Sequence, residues 1–206
     1  MQIDLLLLGS KYLTYISSFL VIGFLLAISF LLINTEGSLK EVSLKLRRRA
    51  SLFALLWFGS SSVYLIATFA NILDSSFVDA LDTTSLQSFV SQVTLGQYLF
   101  VQPLTAFLVG YLLLRVRKVM PVIALLVISI IAISLPALES HSVSGGSHAL
   151  ATGAMMLHVI GLSLWVGGIF AITFIPIEDR KIAIQRFSAI ALWAALIVVF
   201  SGLVNA

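Results

Sequence analysis

Residues 149–175 read ALATGAMMLHVIGLSLWVGGIFAITFI, an unbroken apolar run that holds one titratable side chain, His158. The run is longer than the roughly 20 residues that a helix needs to cross the hydrocarbon core of a bilayer. Its apolar residues do not alternate with polar ones, as they would in a half-buried strand. The segment therefore predicts a transmembrane helix that carries an imidazole into the membrane.

The rest of the chain has the same character. Hydrophobic residues make up 60% of the 206 positions and charged residues only 10%, whereas charged residues supply about a quarter of a soluble domain. Backbone groups in lipid must be paired within helices or closed barrels, and long apolar runs select helices. We predict an all-α, polytopic membrane bundle of six transmembrane helices in a single domain. The predicted spans are 12–33, 50–72, 95–114, 120–138, 149–175 and 187–206.

The basic residues predict the orientation of the bundle. All of the twelve Lys and Arg residues except Lys11 fall in three of the links between spans, on one side of the membrane. Loops rich in Lys and Arg stay in the cytoplasm, so this side is cytoplasmic and the N-terminus lies outside. The net charge of +3 thus reports topology, and we expect no nucleic acid partner. The residues are Lys40, Lys45, Arg47, Arg48, Arg49, Arg115, Arg117, Lys118, Arg180, Lys181 and Arg186.

The metal ligands that this chain can offer are limited. It has no cysteine, which excludes thiolate sites, iron–sulfur clusters and disulfides. Its three histidines all lie towards the outer side: His141 and His148 precede the fifth span, and His158 lies about 14 Å into it at 1.5 Å per residue. A titratable group at that depth is costly and is therefore a functional candidate.

If helical order begins by His148, then His148, Met155, His158 and Trp165 share one face of the fifth helix. Neutral imidazole and thioether groups bind soft ions such as Cu(I) at low coordination number, without a carboxylate in the membrane. The pattern predicts a copper site at His158, His148 and Met155, with His141 folding over its outer end. The alternative is a histidine that only hydrogen-bonds to a neighbouring helix.

A partner helix should supply a further ligand, or a group that orients the imidazole. Gln97, Gln102 and Asn71 are the candidates that face the outer half of the membrane. Three glycines near His158 would let a neighbouring helix approach closely, either for packing alone or to hold His158 against its partner. They are Gly161, Gly167 and Gly168.

Several kinds of chemistry have no motif in this chain. It has no phosphate-binding glycine loop, no HExxH sequence and no evident Ser–His–Asp set. We therefore expect that the protein is not an enzyme. Without an ATPase motif, any transport would be passive or coupled to a gradient.

Short sequence motifs near the C-terminal end resemble those of the bacterial copper resistance protein D (CopD) family of inner-membrane proteins. Their order and spacing are similar to the family's histidine, tryptophan–glycine–glycine and arginine–phenylalanine–serine signature. The match covers residues 147–206, and the earlier spans match only by hydropathy. The motifs are Ser147-His148-Ala149, Leu157-His158, Leu164-Trp165-Val166-Gly167-Gly168, Arg186-Phe187-Ser188 and Ser201-Gly202-Leu203-Val204-Asn205-Ala206.

The resemblance implies copper handling across the bacterial cytoplasmic membrane, generally as import from the outer side. It maps the family's histidines onto His148 and His158, with Trp165, Gly167 and Gly168 as an adjoining structural motif. Family members usually continue for further helices, and in some a cytochrome oxidase assembly (CtaG-like) domain follows. The resemblance therefore suggests the N-terminal part of a longer CopD/CtaG-like fusion.

Three functions remain open from the sequence. The first is a copper permease or copper-delivery protein that uses the histidines and Met155 and receives copper from an external copper-binding protein. The second is a haem-binding membrane cytochrome, which needs two axial ligands at matching depth, although only His158 lies well inside a span. The third is a non-transporting scaffold that recruits an oxidase assembly factor or a periplasmic copper-binding protein.

Overall fold

The computed structural model describes residues 2–32, 39, 41–139 and 148–205. Within these ranges the chain forms seven α-helices and no strand, and six of the helices are long and apolar enough to cross a membrane. The predicted all-α polytopic fold is therefore confirmed. The helices are α1 (Gln2–Leu26), α2 (Glu41–Ile72), α3 (Thr83–Gln92), α4 (Thr94–Leu113), α5 (Val119–Ser134), α6 (His148–Thr173) and α7 (Ile177–Val204).

Three helices begin earlier than the apolar runs of the sequence. Helix α1 begins at Gln2 rather than at residue 12, α2 at Glu41 rather than 50, and α7 at Ile177 rather than 187. Basic residues therefore lie within the first three turns of α2 and α7 rather than in open links. Their long stems can follow the apolar surface while the charged ends reach the headgroups. We call the end of the bundle that carries them the inner end.

Helix α1 lies at the centre of the bundle. It packs against α2, α5 and α6, while α4 contacts α2 and α5, and α7 packs mainly on α6. Helix α1 continues into a π-helical turn, Ala27–Leu31, that is mostly buried. The fully buried side chains of the inner half include Phe24, Leu25 and Leu113. Most of the buried apolar side chains thus form one cluster around α1, a smaller cluster joins α2, α3 and α4 at the outer end, and α7 lies at the edge of the bundle.

Arginines bond to the helix ends at the inner end of the bundle. Arg180 donates to the carbonyl oxygen of Ile175, just after α6, at 2.8 Å. Arg186 donates to the carbonyl of Leu31, where the π-helical turn ends, at 3.0 Å. Arg47 donates to a backbone carbonyl in the link between α4 and α5. The last carbonyls of a helix have no partner within it, and a cation there also favours the helix dipole.

The short helix α3 lies in the outer link that the sequence left without structure. The Asp82 side chain caps it by accepting a hydrogen bond from the backbone N–H of Ser85 at 2.8 Å. Phe89 of α3 stacks on Phe69 of α2, with ring centroids 4.8 Å apart. Helix α3 therefore covers part of the outer ends of α2 and α4.

We expect the cap of α3 to weaken in acid. Hydrogen bonds from the Ser85 side chain and backbone lower the pKa of Asp82 below its ordinary value. Because the folded pKa is lower than the unfolded one, the stabilisation is present at neutral pH and is lost as pH falls through the folded pKa. Asparagine caps helices as well as aspartate but does not titrate. Hydrogen exchange of residues 83–92 should lose protection in acid in the wild type but not in Asp82→Asn. Equal pH dependence in the two proteins would contradict this assignment.

Candidate functional site

His158 lies against α7, the last helix of the bundle. Its Nδ1 atom is 3.1 Å from Oγ of Ser201 and 3.2 Å from the carbonyl oxygen of Val198. The imidazole also lies beside Gly202, where an added Cβ would be 3.7 Å from its Cε1 atom. The side chain is half-buried and about 15 Å below the start of α6. Helix α7 therefore supplies the group that orients the imidazole.

The polar residues near the end of α7 share one face. Ser201 and Asn205 are four residues apart, a spacing that places two side chains on the same side of a helix. Asn205 donates from Nδ2 to the carbonyl oxygen of Ser201 at 2.8 Å. The sequence analysis identified residues 201–206 as a motif similar to the CopD family but assigned no role to its residues. The signal available in the sequence was the spacing of these residues. Ser201 lies three residues after Val198 and four before Asn205, so all three lie on one face of a helix.

The predicted stripe on α6 is present in part. The helix does begin at His148, as the stripe requires, although that side chain lies outside what the structure describes. Met155 is half-buried one turn outward of His158, and Trp165 lies two turns inward against the core. His141 falls outside the described residues. Among those described, no group of three or more His, Asp or Glu side chains could hold a metal ion.

The amide side chains that the sequence proposed as partners have other positions. Gln97 donates from Nε2 to the carbonyl of Ser91 at 2.9 Å, near the outer surface. Asn71 is exposed near the end of α2. Gln102 is buried on α4, and its Oε1 has no hydrogen-bond partner among the described residues. The groups that contact the His158 imidazole belong to α7 instead.

Glycines set the position of α6 between its two neighbours. The backbone at Gly167 touches that of α1 at Gly23 and Phe19, so a Cβ on Gly167 would overlap the α1 backbone. On the side that faces α7, a Cβ on Gly161 would lie 3.0 Å from the carbonyl oxygen of Ala194. Small residues of this kind let helix backbones approach closely in a membrane. Helix α6 is therefore held between α1 and α7.

Residues of two other CopD-like motifs are in contact at the inner half of α6. A Cβ on Gly168 would overlap the ring of Phe187, which belongs to the Arg186-Phe187-Ser188 motif. The neighbouring Arg186 bonds to the end of the π-helical turn that follows α1. Two motifs that are separated in the sequence thus pack against each other and connect α1, α6 and α7.

Comparison with models of protein families finds a match over most of the chain. A family model described as copper resistance protein D-like, N-terminal domain, matches residues 1–151 of the 206. No curated protein and no solved structure matches the chain. The matched part runs from α1 into the start of α6, whereas the CopD-like motifs of the sequence analysis lie in residues 147–206. The two similarities therefore cover complementary parts of the chain and meet at His148.

Replacing Gly167 by alanine should separate α1 from α6. The added methyl group would overlap the α1 backbone, and overpacking of this kind costs about 1–3 kcal/mol. Gly153→Ala is the matched control on the same helix, because nothing lies within 4 Å of its added Cβ. Thermal unfolding followed by helical circular dichroism should give a lower Tm for Gly167→Ala and an unchanged or higher Tm for Gly153→Ala. Equal Tm values for the two variants would contradict the proposed packing.

Proposed function

The chain belongs to the copper resistance protein D-like family, and on this premise we propose that it moves or delivers copper across the bacterial cytoplasmic membrane from the external side. Family membership and six apolar helices establish the coarser statement, a copper-related multi-pass membrane protein. The observation that carries the proposal is His158. It is a titratable, half-buried side chain at membrane depth, and its described hydrogen bonds use only one of its two ring nitrogens.

The chemistry of the α6 stripe suits Cu(I) as cargo. Cu(I) accepts two or three soft ligands, and His158 and Met155 offer an imidazole and a thioether one turn apart. His148 stands at the outer start of the same helix. We propose that copper passes from the external side to His141 and His148, and then to Met155 and His158. This path needs no carboxylate inside the membrane.

The proposal includes partners on both sides of this path. An external copper-binding protein would supply the ion at the outer loop. A CtaG-like domain or an oxidase assembly factor would receive it. The chain itself is proposed to have no enzymatic activity, and transport would be passive or driven by a gradient.

A non-transporting scaffold is the second candidate, and the hydrogen bonds from His158 to α7 support it too. In a scaffold, these bonds would serve only to join two helices. The two candidates differ in what the purified protein binds. A scaffold would contain no copper after purification in copper-replete medium, and its histidines could be replaced without affecting cellular copper.

Removal of His158 should abolish most Cu(I) binding. Loss of even an outer-shell partner costs 10–100-fold in metal affinity, so we expect His158→Ala to weaken Cu(I) binding by at least about tenfold. Competition with a chromogenic Cu(I) chelator measures the affinity of the purified protein. Cellular copper, measured by mass spectrometry, should fall in parallel. Unchanged affinity and unchanged uptake in a folded His158→Ala protein would reject the proposal.

The two adjacent methionines provide a matched pair. Met155 lies on the His158 face, whereas Met156 is rotated by about 100° around the helix. Leucine conserves the volume of methionine and removes its sulfur. We expect Met155→Leu to weaken Cu(I) binding by about tenfold and Met156→Leu to leave it unchanged. Equal effects of the two substitutions would remove Met155 from the site.

A further inference from the structure

We propose that copper binds to the Nε2 atom of His158, and that Ser201 is a positioning residue that keeps the proton on Nδ1. This inference rests on the proposed function, because it names the coordinating atom of the same site. Its structural basis is the pair of hydrogen bonds between α6 and α7. The position of the imidazole hydrogen depends on which of the two partners of Nδ1 can donate a hydrogen bond.

The carbonyl of Val198 can only accept a hydrogen bond. The hydroxyl of Ser201 could in principle donate, but it already has acceptors within its own helix. Its Oγ donates to the carbonyl oxygen of Ile197 at 2.5 Å, and that of Val198 lies at 3.1 Å. Such bonds to the preceding turn are common for serine inside a helix. The hydroxyl therefore presents a lone pair to the imidazole.

Both partners of Nδ1 thus act as acceptors, so Nδ1 must carry the hydrogen. The opposite tautomer would place the Nδ1 lone pair 3.2 Å from the carbonyl oxygen of Val198. Two lone pairs at that distance repel each other, and the low dielectric of the membrane strengthens the repulsion. A neutral imidazole with a proton on Nδ1 has its free lone pair on Nε2.

Nε2 is also the nitrogen that remains open. No hydrogen bond to it is found within the described part of the chain, and the side chain is only half-buried. An N–H donated to a carbonyl is the usual way in which proteins fix the ring of a metal-binding histidine and raise its basicity. The contacts with α7 supply this arrangement. Ser201 and Val198 therefore prepare the imidazole for a metal ion at Nε2.

Nuclear magnetic resonance of ¹⁵N-labelled histidine can identify the tautomer directly. The chain has three histidines, so His141→Gln with His148→Gln leaves His158 as the single signal source. In metal-free protein in lipid nanodiscs at alkaline pH, we expect a protonated Nδ1 and an unprotonated Nε2. Cu(I) is diamagnetic, so its addition should shift the Nε2 resonance most. A protonated Nε2 in the metal-free protein would overturn the inference.

Two substitutions of Ser201 test its positioning role. Threonine and valine have nearly the same volume, but only threonine keeps the hydroxyl. We expect Ser201→Val to raise the Nε2–H population and to weaken Cu(I) binding by about tenfold, the lower end of the range for outer-shell residues. Ser201→Thr should restore both readouts towards the wild type. Equal tautomer populations in the two variants would overturn the role of Ser201.

The same measurements separate this inference from the proposed function. A protonated Nε2 together with intact, His158-dependent Cu(I) binding would overturn only the assignment of the coordinating atom. A protonated Nδ1 together with no Cu(I) binding by the 206-residue chain with all three histidines would overturn the proposed function, and with it the ligand role of Nε2. The expected combination is a protonated Nδ1, an Nε2 shift on Cu(I) addition and a hydroxyl-dependent affinity.

Discussion

The contact between the backbones of α1 and α6 at Gly23 and Gly167 determines the arrangement around His158. Lipid tails are as apolar as leucine, so close packing rather than the hydrophobic effect holds membrane helices together. Because this contact admits no side chain, it fixes the rotation of α6 about its axis. His158 is nine residues from Gly167, which places it about 180° away around the helix. The imidazole must therefore face away from α1, and α7 occupies that side.

The inner end of the bundle depends on a second constraint, which is that the last carbonyls of a helix have no hydrogen-bond partner within that helix. Arg180 and Arg186 satisfy carbonyls at the ends of α6 and of the π-helical turn. Arg49 lies over the ring of Phe174, with its guanidinium carbon 4.8 Å from the ring centroid, a favourable cation–π geometry. The residues that predict the orientation of the chain thus also join its helices. Arg180 and Arg186 lie near the start of α7 and Arg49 lies in the first half of α2, where their side chains reach neighbouring helices.

The sequence predicted the parts of the fold that depend on one segment at a time. Six spans could be recognised because hydropathy reports the solvent of each helix without reference to its neighbours. Helix α3 was missed because it has only ten residues and its apolar side chains are few. The depth of His158 could be predicted from its position in one span. Its partner helix could not, because the rotation of α6 is set by contacts at Gly167 and Gly161 that involve two other helices. Ser201 became meaningful only when α7 was known to lie beside α6.

A hydrogen bond to a neighbouring helix does not by itself distinguish a packing histidine from a metal ligand. The two roles differ in how they use the two ring nitrogens. At membrane depth a packing histidine gains by pairing both, because lipid offers no hydrogen bonds and each unpaired polar group there is costly. In the described residues, His158 pairs Nδ1 twice, with Ser201 and Val198, and leaves Nε2 without a hydrogen bond. Packing alone accounts for the first nitrogen and gives no reason for the second. A soft cation at Nε2 would account for both, since the bonds at Nδ1 are those that prepare the opposite nitrogen to bind it.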